Sequence, residues 1–220
     1  MSAVLVILLL WSGFAASHVG LASVRMRPRL VDRLGEPAYL GVYSLVSLAF
    51  FVPLVRFYLT HKHAGPLLWS IVLVGPARSM FYLLTGVAMI VAILGLLQPS
   101  PASLAGGPTA ASGVARITRH PLFMGFGLLG LLHLVPNGAA SDIAFFGGLP
   151  VFAVVGCGHQ DRRKLATGVP GYRDYVAMTP FLPFTRRGAL SGIREVGVVR
   201  LGLAVAVTVA VRWYHPVLFG

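Results

Sequence analysis

Long apolar runs dominate this sequence and constrain what it can fold into. A helix needs roughly 20 apolar residues to cross the hydrocarbon core of a membrane. Six runs approach or reach that length, near residues 2–21, 38–58, 77–97, 120–137, 140–158 and 198–218. Only 11% of the residues are charged, whereas a soluble domain carries about a quarter. We therefore predict an all-α, polytopic transmembrane helix bundle of about six spans, forming a single membrane-embedded domain over residues 1–220.

The first run has features of both a span and a signal peptide. Small residues occur at positions 15–17, as near a cleavage site, but no basic residue precedes the run. Signal peptides have a positively charged region before their apolar segment. We expect this run to be retained as a span.

The basic residues are distributed unevenly among the predicted loops. Fourteen of the 18 Lys and Arg residues fall within 25–33, 116–119 and 162–200. Cytoplasmic loops carry an excess of such residues. The sequence therefore predicts insertion in the inner (cytoplasmic) membrane with both termini outside the cytoplasm. The formal charge of +12 is explained in the same way, so we expect a lipid bilayer as the partner and no nucleic acid.

Two connecting segments have distinctive compositions. Residues 99–114 are rich in Pro, Gly, Ala and Ser and are predicted to form a loop. Residues 160–190 combine basic and aromatic side chains, and we predict a basic interfacial helix and a proline-terminated turn between spans five and six. Four aromatic residues of this segment are expected at headgroup depth: Tyr172, Tyr175, Phe181 and Phe184. A basic membrane anchor without catalytic function explains the segment equally well.

Several classes of site are excluded by what the sequence lacks. Cys157 is the single cysteine, which excludes a disulfide framework, a paired-cysteine zinc site and the attachment motif of a c-type haem. No Walker, Rossmann or nucleophile-elbow motif occurs. None of the six acidic residues is predicted to lie in the interior of a span, which argues against a proton relay built on buried carboxylates.

The histidines carry most of the functional information. His18 and His133 lie inside apolar runs, and His120 opens one. A histidine in a span needs a partner, which is either a hydrogen bond to a neighbouring helix or a metal such as haem iron. His120 and His133 are thirteen residues apart, about 20 Å and about 220° on one helix, so they cannot bind one iron together.

The predicted depths divide these histidines into two groups. His18 and His120 are expected near the cytoplasmic face, and His61, His63 and His133 nearer the outer face. A bis-histidine site is easiest to form within one group. Pro121 suits the first turn of a helix, which favours a structural role for His120.

The motifs resemble those of NnrU-type membrane proteins over residues 14–187. The matching segments occur in family order and read HVGLAS (18–23), LGE (34–36), YSLVSL (43–48), RITRHP (116–121) and LHLVPNG (132–138). Within that family the sequence is similar to zeta-carotene isomerases. Three segments carry this closer similarity: FYLTHKHAG with a following Leu-Trp pair (57–69), Asp-Arg-Arg (161–163) and an extra C-terminal span, 198–218, ending in WYHP (213–216).

The resemblance implies a cofactor and a reaction. It implies a non-covalent haem b with His18 and His133 as axial ligands and catalytic residues, and His61 as a further histidine of the site. The implied substrate is an apolar polyene whose central 15-cis double bond becomes trans. We add the hypothesis that Arg119 or Arg25 pairs with a haem propionate, and His120 stays open as a third ligand. The sequence does not identify a redox partner.

Two other functions stay open. Arg119-His120-Pro121 and the later Gly171-Tyr172-x-x-Tyr175 also resemble isoprenylcysteine methyltransferases, in which such elements hold S-adenosylmethionine. The Glu-Glu pair of those enzymes is replaced here by residues 160–163, QDRR. The third possibility is a non-enzymatic NnrU-type protein associated with denitrification and nitric oxide metabolism.

Overall fold

The protein is almost entirely helical. The computed structural model describes residues 2–101, 107 and 110–219. Nine α-helices and two short strands occur in that part of the chain: α1 (Ala3–Leu21), α2 (Met26–Leu34), α3 (Glu36–Thr60), β1 (Leu67–Trp69), α4 (Gly75–Leu97), α5 (Pro121–Leu134), β2 (Gly138–Ala139), α6 (Ala140–Ala166), α7 (Tyr172–Met178), α8 (Ala189–Val196) and α9 (Val198–Phe219). Residues 102–106 and 108–109 of the predicted 99–114 loop lie outside the described residues.

The prediction of a helical membrane bundle is confirmed. Five of the described helices are long and apolar enough to cross a membrane: α1, α3, α4, α6 and α9. Their outward faces are apolar, as shown by Leu45, 68% exposed, and Val199, 80% exposed. Apolar surface of this kind is stable in lipid rather than in water.

The fourth predicted span is shorter than the sequence suggested. Helix α5 has 14 residues, or about 21 Å, and ends at Leu134. Pro136 disfavours helical backbone at the residue before it, and Asn137 Nδ2 donates to the carbonyl of His133 at 2.8 Å. The chain then enters β2, which pairs with β1 in antiparallel register, Leu67 opposite Ala139.

Helix α6 is longer than predicted and contains two acidic residues. It continues past residue 158 to Ala166, because the Gln, Arg, Lys and Leu residues of its last turns favour helix. Asp142 lies in its first turn and Asp161 near its end, and both are buried. The expectation that no acidic residue lies within a span was therefore wrong.

The described chain divides into two compact units. The first comprises residues 1–72 and 133–167. Within it, α1 packs between α3 and α6. A close approach of α1 and α6 occurs at Gly148, where an added Cβ would lie 2.2 Å from the indole ring of Trp11. Small residues allow such close approaches between membrane helices.

The second unit comprises residues 73–132 and 168–220. Within it, α4 packs against α9. Gly125 of α5 lies against the backbone of α4, since an added Cβ would be 2.6 Å from the nitrogen of Ala92. A short 3-10 turn, Gly113–Arg116, supports α8. The prediction of a single domain over residues 1–220 stays a prediction.

The segment between α6 and α9 differs in detail from the predicted interfacial helix. Its basic beginning, residues 160–166, belongs to α6, and α7 and α8 follow. Tyr172 and Tyr175 are fully buried and pack with Ala115, so these two rings belong to the protein core and not to a headgroup layer. The sequence contained a signal for this shared burial, because the two tyrosines of a Tyr-x-x-Tyr pair lie on one face of a helix.

Candidate functional site

His18 lies among aromatic rings contributed by three helices. It is on α1, one turn before the helix ends. Its ring centroid lies 5.3 Å from that of Phe14 on the same helix, 4.8 Å from Tyr43 on α3 and 5.1 Å from Phe152 on α6. The half-buried imidazole is thus held in an apolar environment within the first unit.

A hydrogen-bond chain fixes which nitrogen of His18 carries the proton. Ser47 Oγ donates to the carbonyl of Tyr43 at 2.8 Å. Its hydrogen is thereby used, so its contact with His18 Nδ1 at 3.3 Å assigns Nδ1–H as the donor and Ser47 as the acceptor. The lone pair of the ring is then on Nε2. Metal-binding histidines have this arrangement, in which one nitrogen ligates and the other donates to a neighbouring oxygen.

More aromatic rings extend this environment along α1. Trp11 makes edge contacts with Phe14 and Phe51, with centroids 5.8 and 6.5 Å apart, and its Nε1 donates to the carbonyl of Phe145 at 3.2 Å. The ring of Phe152 lies 4.6 Å from that of Phe14. The indole N–H has its partner inside the cluster, and Trp11, Phe14 and Phe152 are all buried, so this cluster is an apolar part of the core.

His133 lies in the same unit but meets α6 at another level. It is in the last turn of α5, and its ring stacks on Phe146 at 4.9 Å with an interplanar angle of 25°. His18 meets α6 at Phe152, six residues further along, which corresponds to about 9 Å on the helix axis. The structure therefore brings both histidines to α6 without placing them at one level.

His61 and Arg25 lie apart from the His18 cluster. His61 caps the end of α3, where its ring stacks on Phe57 at 4.0 Å and its Nδ1 lies 3.0 Å from the Phe57 carbonyl. This position is fourteen residues beyond Ser47 on α3, or about 21 Å. Arg25 is exposed at the start of α2. The structure does not bring His61 into the coordination range of His18.

Arg119 and His120 belong to the second unit, where they hold the segment 179–184. Arg119 donates from its backbone nitrogen to the Pro180 carbonyl and from Nη1 to the Thr179 carbonyl, both at 2.9 Å. Its guanidinium lies over the Phe181 ring, 5.1 Å from the centroid. His120 is 4% exposed and meets the edge of Phe181 at 5.7 Å. The Arg-His-Pro motif and the Tyr-x-x-Tyr helix are thus packed in one unit, largely buried by protein.

One polar cluster escaped the sequence analysis. Asp142 is fully buried. It accepts from Tyr58 Oη at 3.0 Å, from the His63 backbone nitrogen at 3.1 Å and from His63 Nδ1 at 2.8 Å. His63 adopts a left-handed backbone, φ 57°, which is uncommon for a residue other than glycine. The sequence signal for this cluster was an aspartate in the first turn of an apolar helix. Its partners could not be identified from the sequence, because they lie about 80 residues earlier in the chain.

The described residues do not form a self-sufficient metal site. No group of three or more His, Cys, Asp or Glu side chains that could hold a metal ion is present among residues 2–101, 107 and 110–219. The first unit contains five histidines, at positions 18, 61, 63, 133 and 159, and none of them belongs to such a group.

Comparisons with known proteins identify the family. A curated protein from Zea mays named "15-cis-zeta-carotene isomerase, chloroplastic" is 25% identical over 182 residues, which cover 81% of this chain and 49% of that protein. The chain thus spans about half the length of this relative. No solved structure matches. The family model described as "NnrU protein" matches residues 5–220, so this chain belongs to the NnrU family.

Proposed function

We propose that this NnrU family member is a membrane-embedded isomerase that converts the 15-cis double bond of zeta-carotene to trans, with a non-covalent haem b held by His18 and His133. Two findings support the reaction: the family match and the name of the Zea mays relative. The structural observation that carries the proposal is the orientation of His18, which donates Nδ1–H to Ser47 within an aromatic cluster.

The residues around His18 fit a histidine that would hold haem. The lone pair on Nε2 is the one that would bind iron, and Ser47 keeps the ring in that tautomer. Three aromatic rings surround the imidazole, and such an environment favours a large apolar group over water. His133 is the second proposed ligand, and its stacking on Phe146 fixes the plane of its ring.

The chain's own contribution to isomerisation is to bind and to exclude water. Bound haem b would supply a centre that exchanges electron density with the polyene and lowers the barrier to rotation about its cis double bond. Trp11, Phe14 and Phe152 are buried and pack on one another, so they keep water from the side of His18 that they cover. The reaction changes neither the composition nor the net oxidation state of the substrate, so no general acid or base is required beside His18.

Optical spectroscopy of the detergent-purified protein tests the cofactor. Oxidised and dithionite-reduced spectra are compared for the wild type, His18→Ala, His133→Ala and a matched control, His215→Ala. We expect a Soret band with split visible bands after reduction, lost in the first two variants and kept in the control. Chromatography of tri-cis zeta-carotene incubated with the reduced protein then tests the reaction, and the expected product has a trans central bond.

The other outcomes separate the alternatives. A colourless protein expressed with ample haem would refute the cofactor, and saturable binding of S-adenosylmethionine would then support a methyltransferase. Haem binding without isomerisation would refute the reaction alone. It would make nitric oxide binding the next measurement for an NnrU-type haem protein.

A further inference from the structure

Two arginines converge on one aromatic ring at the end of the α4–α9 pair. Arg212 of α9 lies over Tyr82 of α4, with Cζ 4.0 Å from the ring centroid, and Cζ of Arg78 lies 5.9 Å from the same centroid. Arg78 precedes Tyr82 by one helical turn. The register of the two helices brings Arg212 beside Tyr82. One turn further along, Gly86 of α4 faces Thr208 of α9 in the same register. The two guanidinium carbons are therefore within 10 Å of each other.

Among residues 2–101, 107 and 110–219, no carboxylate forms an ion pair with either arginine. Helices α4 and α9 contain no Asp or Glu. The arginine ion pairs found in the described part of the chain join Arg27 to Glu36 and Arg116 to Glu195. Two cations on one exposed ring repel each other, and each contact with the ring is worth only about 0.5–1 kcal/mol. An anion shared by both guanidinium groups would remove the repulsion.

The surroundings indicate which anion. Trp213 and Tyr214 follow Arg212 directly and are 78% and 57% exposed. Exposed Trp and Tyr at the end of a span mark the headgroup level of a membrane. Leu83, beside Tyr82, is 61% exposed and faces outward as lipid-contacting residues do. A phosphate presented by a lipid at this level meets both the arginines and the apolar surface next to them.

We propose that Arg78, Tyr82 and Arg212 form a binding site for the phosphate group of an anionic phospholipid. The guanidinium groups donate to the phosphate oxygens in the bidentate manner that distinguishes Arg from Lys. Tyr82 keeps the guanidinium of Arg212 in place through its ring face. This site does not depend on haem or on the isomerase reaction.

Native mass spectrometry of the full chain tests the site. The protein in detergent is titrated with phosphatidylglycerol and, separately, with phosphatidylcholine of the same acyl chains. We expect the wild type to prefer phosphatidylglycerol. Each of Arg78→Gln and Arg212→Gln should weaken that binding about fivefold, since a basic residue near an anionic surface contributes about 1 kcal/mol. Arg56→Gln, an exposed arginine on α3, is the matched control and should bind as the wild type does.

Two further variants and one competitor complete the test. Arg212→Lys keeps the charge but not the fork of donors, and we expect an intermediate loss. Thermal unfolding in phosphatidylcholine establishes that each variant is folded. Equal binding of both lipids by the wild type would overturn the proposal, as would an equal loss in Arg56→Gln. Displacement of the lipid by inorganic phosphate at the same concentration would also overturn it, because the site would then recognise a free anion.

Discussion

Nδ1 of His63 lies 2.8 Å from Oδ2 of the buried Asp142 and joins the end of α3 to the start of α6. Asp142 also accepts from Tyr58 and from the backbone of His63. The next residues continue the link, with the Ala64 nitrogen donating to Ser141 Oγ at 2.8 Å and the Ala140 nitrogen to the Pro66 carbonyl at 3.0 Å. The loop after α3 is thus anchored to the helix that contacts both proposed haem ligands.

Removal of the Asp142 carboxylate should destabilise the protein strongly. Asp142→Ala leaves the hydroxyl of Tyr58 and the backbone N–H of His63 without their acceptor, at roughly 1–3 kcal/mol for each group left unsatisfied. Tyr58→Phe removes only one hydrogen bond and should cost about 1 kcal/mol. Thermal unfolding in detergent measures both. Equal midpoints for the two variants would show that Asp142 does not organise this cluster.

Ser47 should control haem affinity without being a ligand. Ser47→Ala removes the acceptor of His18 Nδ1–H, and loss of such a partner typically weakens metal binding about 10- to 100-fold. We expect this variant to have the wild-type spectrum while haem is bound. We also expect it to transfer its haem to apomyoglobin faster than the wild type does. Ser44→Ala, an exposed serine on the same helix, is the control. Identical dissociation rates in the two variants would contradict the assigned tautomer.

Arg119→Ala should loosen the segment that follows α7. Its side chain donates to the Thr179 carbonyl, and hydrogen bonds from charged groups contribute roughly 1.5–3 kcal/mol. Faster proteolysis between residues 179 and 187 is the expected readout, with Arg173→Ala, an exposed arginine of α7, as the control. If Arg119 also pairs with a haem propionate, Arg119→Ala should lower the Soret absorbance per folded protein as well. Full haem content would refute that hypothesis and leave the structural role intact.

Acidification should release α8 from the 3-10 turn. Hydrogen bonds from the Arg116 side chain and then from the Gly113 N–H lower the pKa of Glu195 below its ordinary value of 4.5. A carboxyl group with a lowered pKa stabilises the folded state above the ordinary value, and this contribution is lost as the pH falls through the folded value. When the pH is lowered from about 4.5, the thermal unfolding temperature of the wild type should therefore decrease more steeply than that of Glu195→Gln. Asp174→Asn, which removes an exposed carboxylate on α7, serves as the control and should follow the wild type.

The membrane orientation depends on α5. Five long spans alone would place the two termini on opposite sides, whereas a crossing by the 14-residue α5 would place them on the same side. The distribution of Lys and Arg predicts that both termini are outside the cytoplasm. Alkaline phosphatase fusions at residue 1 and after residue 220 should both be active. Activity of only one fusion would show that α5 does not cross.

The sequence by itself determined the membrane architecture and the family. Hydropathy is a property of consecutive residues, so four of the five long spans were predicted within about two residues at each end, and the start of α6 was predicted as well. The family motifs are contiguous strings such as HVGLAS and RITRHP. His18 and His133 could be singled out because a histidine within an apolar run is unusual wherever the helix packs. The ends of α5 and α6 were missed because hydropathy does not report them. Helix α5 ends before Pro136 although the apolar run continues, and α6 continues through polar residues that favour helix.

Only the tertiary structure decided which side chains meet. The tautomer of His18 follows from the antiparallel arrangement of α1 and α3, which brings Ser47 to it from 29 residues away. Asp142 reaches its partners Tyr58 and His63 across about 80 residues, and Arg212 reaches Tyr82 across 130 residues. Contacts of this kind depend on the register between helices, which side-chain packing sets and which no single segment of sequence encodes.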